Sequence, residues 1–114
     1  MPNLRQLGAE AEDRAATYLL GLGYTLVTRR FKAAHGEIDL VALDGDTLVI
    51  VEVKWIRGRT RLAEAAIDER KMSHLSQAVD EYLAKTGEHD RAVRYDIIAI
   101  DPTGLRHHID AFRG

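Results

Sequence analysis

The apolar positions of the chain follow two different periods, and the change between them divides the sequence into helices and strands. From Leu4 to Leu22, small and apolar residues return every three or four positions, which predicts an amphipathic helix. Gly21 and Gly23 are expected to end this helix. A second segment with helical spacing runs from Leu62 to Ala84, so the pattern predicts two helices.

Between and after the helices, the apolar residues run together or alternate over short stretches, as is typical of strands. The predicted strands run from Tyr24 to Phe31, Glu37 to Leu43, Thr47 to Trp55, Val93 to Ile100 and Leu105 to Phe112. The order is αβββαββ, and its strand–helix–strand crossover predicts a parallel pair within a mixed sheet. We therefore expect an α/β fold in which helices flank a central mixed β-sheet.

The third predicted strand, TLVIVEVKW, is apolar on both faces at its start and charged near its end. An apolar start on both faces indicates a strand that is covered on both sides. Because side chains alternate along a strand, Glu52 and Lys54 share one face, where the core is expected to open to solvent. An ion pair between these two residues explains the pattern as well as a functional site does.

Asp39 lies before the hairpin turn DGD and is expected on the same side as Glu52. A two-residue loop at Asp44-Gly45 would make the two acids diagonal neighbours, roughly 7–8 Å apart at Cα, whereas a four-residue loop would place them directly opposite. A three-residue loop without a bulge would put them on opposite faces and exclude a shared site. Converging carboxylates repel each other unless a cation neutralises them. Because the ligand atoms are all oxygens, Mg²⁺ or Mn²⁺ is favoured over zinc.

Two further charges lie on the inward faces of the predicted helices. Glu12 is in line with Leu19, and an inward carboxylate is costly unless it has a partner. Lys71 lies on the side of Leu75, although a lysine that extends past the helix edge accounts for Lys71 on its own. We interpret both charges as members of one pocket with the charges of the hairpin.

Composition narrows the classes of protein to consider. A chain of 114 residues suits one domain, which we expect to span 1–114. The net charge of −2 requires that any nucleic-acid surface be a local patch, and the lack of cysteine excludes disulfides and thiolate metal sites. The N-terminus is too charged for a signal peptide and the apolar runs are too short to span a bilayer, so we expect a cytoplasmic protein.

The motifs also carry a family resemblance that spans nearly the whole chain. The stretches LGAEAEDRAATYLLGLGY, GEIDLVALDGDTLVIVEVK and RYDIIAI, with Lys71, resemble the YraN family of small uncharacterised bacterial proteins. That family is similar to the archaeal Holliday-junction resolvases and to the PD-(D/E)xK nuclease superfamily. The resemblance implies a restriction-endonuclease-like fold. In it, Glu12 matches the first-helix glutamate, Asp39 the first catalytic acid, and Glu52-Val53-Lys54 the E-x-K element.

The resemblance implies a metal-dependent hydrolysis of phosphodiester bonds. Asp39, Glu52 and the backbone carbonyl of Val53 would hold Mg²⁺ or Mn²⁺. Lys54 would orient the attacking water, and Glu12 would hold a water of the ion or a second ion. Basic residues would contact phosphates: Arg57, Arg59, Arg61 and Lys71, with Arg29, Arg30 and Lys32 as a second track.

Two functions of different classes stay open at this point. The first is a Mg²⁺-dependent endonuclease that acts on branched or otherwise structured DNA. The second is a nucleic-acid-binding or interaction module that has the nuclease fold but little or no activity alone. A third hypothesis is a subunit that acts only with a helicase or another repair protein. Analogy with resolvases, which cut two strands, adds the expectation of a homodimer.

Overall fold

The structure is a computed structural model that describes residues 4–55 and 69–111. Its elements are α1 (Leu4–Gly21), β1 (Thr25–Lys32), β2 (Glu37–Asp44), β3 (Thr47–Trp55), α2 (Glu69–Thr86), β4 (Val93–Asp101) and β5 (Gly104–His108). The strands form one sheet in the order β1-β2-β3-β4-β5, in which β3 and β4 are parallel and the other neighbours are antiparallel. The expected α/β class, the mixed sheet and the order αβββαββ are confirmed.

The second helix and the last strand differ most at their ends from the sequence prediction, and residues 62–68 of the predicted helix lie outside the described residues. The second helix continues to Thr86 and stops before Gly87, whose φ of +74° supplies the left-handed conformation common after a helix. The last strand ends at His108, and residues 109–111 are not part of it, whereas the predicted end at Phe112 lies outside the described residues. Asp110 turns the chain away with a φ of +54°, and its N–H donates to Oδ1 of Asp96 at 3.0 Å. A buried acceptor therefore holds this turn in place.

The two helices cover opposite faces of the sheet. On one face, small residues of α1, among them Ala11 and Ala15, pack against Val49 and Val51 of β3. On the other, Leu75, Ala78, Val79 and Tyr82 of α2 pack against a second set of sheet residues, Ile38, Val41, Leu48 and Ile50. The prediction that β3 is covered on both sides is confirmed. Within the described ranges, neither α1 nor α2 carries an apolar run of the length that a bilayer crossing requires.

The hairpin between β2 and β3 settles the register of the two candidate acids. Asp44 pairs with Thr47 across a two-residue loop, in which Gly45 adopts a φ of +60°. The pairing continues to Leu40–Val51, so the register carries Asp39 to the position opposite Glu52. The diagonal arrangement is therefore wrong. The register expected from a four-residue loop is right, but Asp44 and Thr47 also pair, so the loop itself has only two residues.

A polar network is buried where β4 and β5 meet α1. Asp96 has no solvent exposure, and its carboxylate accepts two 2.9 Å hydrogen bonds from Arg94. His107 Nε2 lies 2.7 Å from Oδ2 of Asp96, and the Tyr18 hydroxyl lies 3.2 Å from His107 Nδ1. Arg94 also donates to Asp44 Oδ2 at 2.9 Å. Burial acts to raise the pKa of Asp96, but these hydrogen bonds outweigh it and lower that pKa.

The network predicts that substitutions of the two acidic partners of Arg94 lower the free energy of unfolding by unequal amounts. Asp96→Asn leaves a partly buried guanidinium with a neutral partner, so the free energy of unfolding should fall by about 3 kcal/mol. Asp44→Asn removes a partner whose side chain is 45% exposed, and its cost should be at most roughly 1 kcal/mol. Urea denaturation of both variants measures the difference. Equal losses of unfolding free energy would show that the buried Asp96 carboxylate contributes no more to stability than the exposed Asp44 carboxylate.

Candidate functional site

Asp39 is fixed where β2 and β3 separate. The regular pairing of the two strands reaches Leu40–Val51, and beyond it the Val53 N–H donates to Oδ2 of Asp39 at 2.8 Å. A carboxylate thus satisfies a backbone donor at the end of the ladder, where a buried N–H otherwise requires a backbone acceptor or water. This hydrogen bond holds the Asp39 side chain against β3.

Three carboxylates from two elements meet at this point. Glu12 of α1 and Glu37 and Asp39 of β2 each offer one oxygen, and these oxygens lie within 4.8 Å of one another. The Glu12 side chain is only 14% exposed, although it lies on a helix that also carries solvated acids. Carboxylates at such distances repel one another unless a proton or a cation intervenes. The structure therefore brings together three acidic side chains, among them the inward Glu12 and the hairpin residue Asp39 that the sequence assigned to one pocket.

Glu52 lies in the same pocket as Asp39 but is engaged by two lysines. Its side chain is 4% exposed, and its Oε1 lies 3.1 Å from Lys71 Nζ and 3.5 Å from Lys54 Nζ. The ion pair of Glu52 with Lys54 that the sequence suggested is present, and Lys71 joins it from α2. Burial acts to lower the pKa of Lys71, but the pairing with Glu52 outweighs it and raises that pKa. The Lys71 ammonium is therefore charged at neutral pH.

The pocket itself is a cavity of about 160 Å³ between the hairpin and α2. Its walls come from residues 35–37, Asp39, Glu52, and the α2 residues Lys71, His74 and Leu75. Gly36 permits the close approach of the two walls, because a Cβ there would lie 3.2 Å from the backbone oxygen of His74. His35 and His74 are exposed and line the cavity. No sequence spacing groups these two histidines with the acids, so only the structure brings them together.

Burial and neighbouring charge set the protonation of Asp39. Burial is the main cause that raises its pKa to about 8, and the charge of Glu52 adds to the effect. The Val53 N–H and the Lys71 ammonium act in the opposite direction. Without a cation, the Asp39 carboxyl therefore holds its proton at neutral pH. A perturbed carboxyl of this kind in a cleft is typical of a functional site.

The donor set fits a hard divalent cation. The ligand atoms available here are all carboxylate oxygens, which suit Mg²⁺ or Mn²⁺. They belong to Glu12, Glu37, Asp39 and Glu52. Glu37 is the first residue of β2. It is exposed and also belongs to the three-carboxylate group. The metal roles of Asp39, Glu52 and the Val53 carbonyl stay predictions.

The basic residues expected to contact phosphates fall into three groups. Arg57, Arg59 and Arg61 lie outside the described residues. Lys71 lies in the pocket, with its ammonium on Glu52. In the second track, the two arginines pair with acids of α1: Arg29 Nη2 is 2.5 Å from Asp13, and Arg30 Nε is 2.6 Å from Glu12. Lys32 is exposed.

Comparison with known proteins places the chain in a family. A family model described as "Uncharacterised protein family UPF0102" matches residues 11–100. The chain belongs to UPF0102. A UPF0102 protein of Alcanivorax borkumensis is 40% identical over 107 residues, covering 90% of this chain and 86% of that relative. UPF0102 proteins of Halorhodospira halophila and Persephonella marina are 41% and 38% identical over 96% and 92% of this chain, and 88% and 91% of theirs.

UPF0102 is the YraN family, so the resemblance inferred from the motifs is confirmed. The matched range includes Glu12, Asp39, Glu52 and Lys54. Because the names of these UPF0102 relatives state no reaction, the chemistry has to be inferred from the site itself.

The raised pKa of Asp39 predicts a pH-dependent stability of the metal-free protein. Between the unfolded pKa near 4 and the folded pKa of about 8, only the folded chain keeps this proton, so rising pH removes stability. Asp39→Asn abolishes that loss. Its melting temperature in EDTA should therefore rise relative to wild type by several degrees between about pH 5 and about pH 9.

Asp13→Asn is the matched control, because the Asp13 side chain is 64% exposed and lies outside the carboxylate group. Its difference from wild type should stay nearly constant over the same range. A constant difference for Asp39→Asn as well would contradict the raised pKa.

Proposed function

We propose that this UPF0102 protein is a Mg²⁺-dependent endonuclease that hydrolyses phosphodiester bonds in structured or branched DNA. The observation that carries the proposal is one convergence of charges at the end of β3. There the oxygens of Glu12, Glu37 and Asp39 approach within 4.8 Å, and the buried Glu52 in the adjoining cavity meets two lysines. Carboxylates gathered at such distances repel one another and destabilise a fold, so a cation or a reaction that needs them is the physical reason to keep them.

The residues have distinct roles in this proposal. When bound, Mg²⁺ would supply positive charge to a phosphate oxygen and lower the pKa of a water. Asp39, held by the Val53 N–H, would be a ligand together with Glu52, and Glu12 would support the ion from α1. Glu37 would accept hydrogen bonds from the outer shell.

Two lysines are available for the phosphate and the water. Lys54 Nζ lies 3.5 Å from Glu52 Oε1, and the Lys54 side chain is 20% exposed. Its ammonium would therefore reach a water or a phosphate at the pocket mouth. There its ammonium would orient the attacking water and offset the charge that develops on the phosphate. Lys71 would leave Glu52 to contact a phosphate of the nucleic acid. A homodimer and a helicase or other repair partner belong to the same proposal, on the analogy with resolvases.

One observation favours a second candidate function. Lys54 and Lys71 already neutralise Glu52, and Asp39 is protonated at neutral pH, so much of the cluster is stable without an ion. These contacts would stabilise a nucleic-acid-binding or interaction module that keeps the nuclease fold and has no catalytic activity.

The two functions differ in a cleavage screen. Four-way junction, flap, duplex and single-stranded DNA, with matched RNA, would be incubated with the protein and Mg²⁺ or Mn²⁺. The endonuclease predicts metal-dependent cuts in the junction or flap that Asp39→Asn abolishes. Salt-sensitive binding with no cleavage of any substrate would instead support the module.

The role of Lys54 makes a separate prediction. Lys54→Met keeps the aliphatic stem but removes the ammonium, so the single-turnover rate should fall by about 100-fold or more. Because Lys54 is not a ligand, the rise in melting temperature on adding Mn²⁺ should persist. Lys85→Met removes an equal charge from the exposed last turn of α2 and is the control. An unchanged rate in Lys54→Met would show that Lys54 forms only a structural ion pair with Glu52 and has no role in cleavage.

A further inference from the structure

Arg30 has an unusual backbone at the position beside Asp39. Its φ is +54°, a left-handed conformation that is strained for a residue with a side chain. The flanking pairs of β1 and β2 are Arg29–Leu40 and Phe31–Ile38, so Arg30 lies next to Asp39. Strained residues of this kind persist where the surrounding structure holds them, and they cluster at functional sites.

The strained backbone changes where the side chain goes. In a regular strand, Arg29 and Arg30 would point to opposite faces of the sheet. Here both reach α1, where Arg29 Nη2 lies 2.5 Å from Asp13 Oδ1 and Arg30 Nε lies 2.6 Å from Glu12 Oε1. The two pairs look alike but differ in position, because Glu12 belongs to the carboxylate group and Asp13 does not.

The Arg30–Glu12 pair joins a half-exposed cation to a largely buried acid. The Arg30 side chain is 48% exposed and that of Glu12 is 14% exposed. The guanidinium therefore neutralises Glu12 while keeping access to solvent. A divalent ion that used the same carboxylate would repel the guanidinium and compete for its acceptor oxygen. Once displaced, the planar guanidinium suits a phosphate, which it can bind through two parallel hydrogen bonds.

We propose that Arg30 is a positioning residue that exchanges partners. It holds Glu12 in the metal-free protein and moves to a phosphodiester anion of the substrate when an ion takes the Glu12 carboxylate. This inference rests on the proposed metal-dependent nuclease and adds a coupling to it. Because Arg30 leaves Glu12 for the phosphate, the ion and the nucleic acid each strengthen the binding of the other.

The first test measures Mn²⁺ binding without nucleic acid. Arg30→Gln removes the competitor for Glu12, so Mn²⁺ should bind roughly threefold to fivefold more tightly than to wild type. Arg29→Gln removes the same charge one residue away but leaves Glu12 paired, so its affinity should change much less. If Arg30 served only to hold the Glu12 side chain in position, the loss of Arg30 would weaken Mn²⁺ binding. Arg30→Gly also relieves the backbone strain, so it guards against a folding defect and should shift the affinity in the same direction.

The second test measures the coupling. Binding to a four-way junction DNA would be titrated with salt, with and without Ca²⁺ as an ion that occupies the site. In wild type, Ca²⁺ should steepen the slope of log affinity against log salt by about one unit, the signature of one additional phosphate contact. That increment should persist in Arg29→Gln and vanish in Arg30→Gln.

Failure of the inference and failure of the proposed function give different results. Wild type that binds Mn²⁺, with equal or weaker binding in both Arg30 variants, would overturn the exchange and leave the metal site standing. The same holds if the Ca²⁺ increment survives in Arg30→Gln. No Mn²⁺ binding by wild type or any variant would overturn both. Tight binding that appears only after removal of Arg30 would support the exchange directly.

Discussion

The hydrogen bond from the Val53 N–H to the Asp39 carboxylate sets the geometry on which the candidate site depends. It forms at 2.8 Å where the β2–β3 ladder ends, so it fixes an acid in the place of a backbone acceptor. From there Asp39 adjoins the cavity that Glu52 and α2 line, and it also lies within reach of Glu12 on α1. Two helices on opposite faces of the sheet therefore contribute to one site.

Asp96 is fully buried and Asp39 is partly buried, and the contrast between these two aspartates separates a structural role from a chemical one. Asp96 is fully buried, but Arg94, His107 and the Asp110 N–H all hydrogen-bond to it, and its pKa is lowered. Asp39 has one backbone donor and carboxylates nearby, and its pKa is raised to about 8. The first aspartate is satisfied by the fold. The second is left for a proton or a cation, which is the condition expected of a reactive group.

Positive charge in the site is distributed over side chains that can change partners. Lys54 and Lys71 approach Glu52, and Arg30 approaches Glu12, so the main acids have ammonium or guanidinium neighbours. Long basic side chains that are partly exposed can exchange a carboxylate for a phosphate without a change in the fold. Under the proposed function, the same contacts that stabilise the metal-free protein would later serve the substrate.

The sequence by itself determined the elements, their order, the burial of β3 and the inward position of Glu12, because hydrophobic period and strand alternation are local properties of the chain. It left the Asp39–Glu52 register open, since that depends on which residues form the hairpin loop. Only the tertiary structure decided that Glu37 joins the acids, that Arg30 leaves the regular strand pattern to reach Glu12, and that Arg94, Asp96 and His107 form a network. Those contacts join residues far apart in the chain, and side-chain distances between them arise only when the sheet and helices pack.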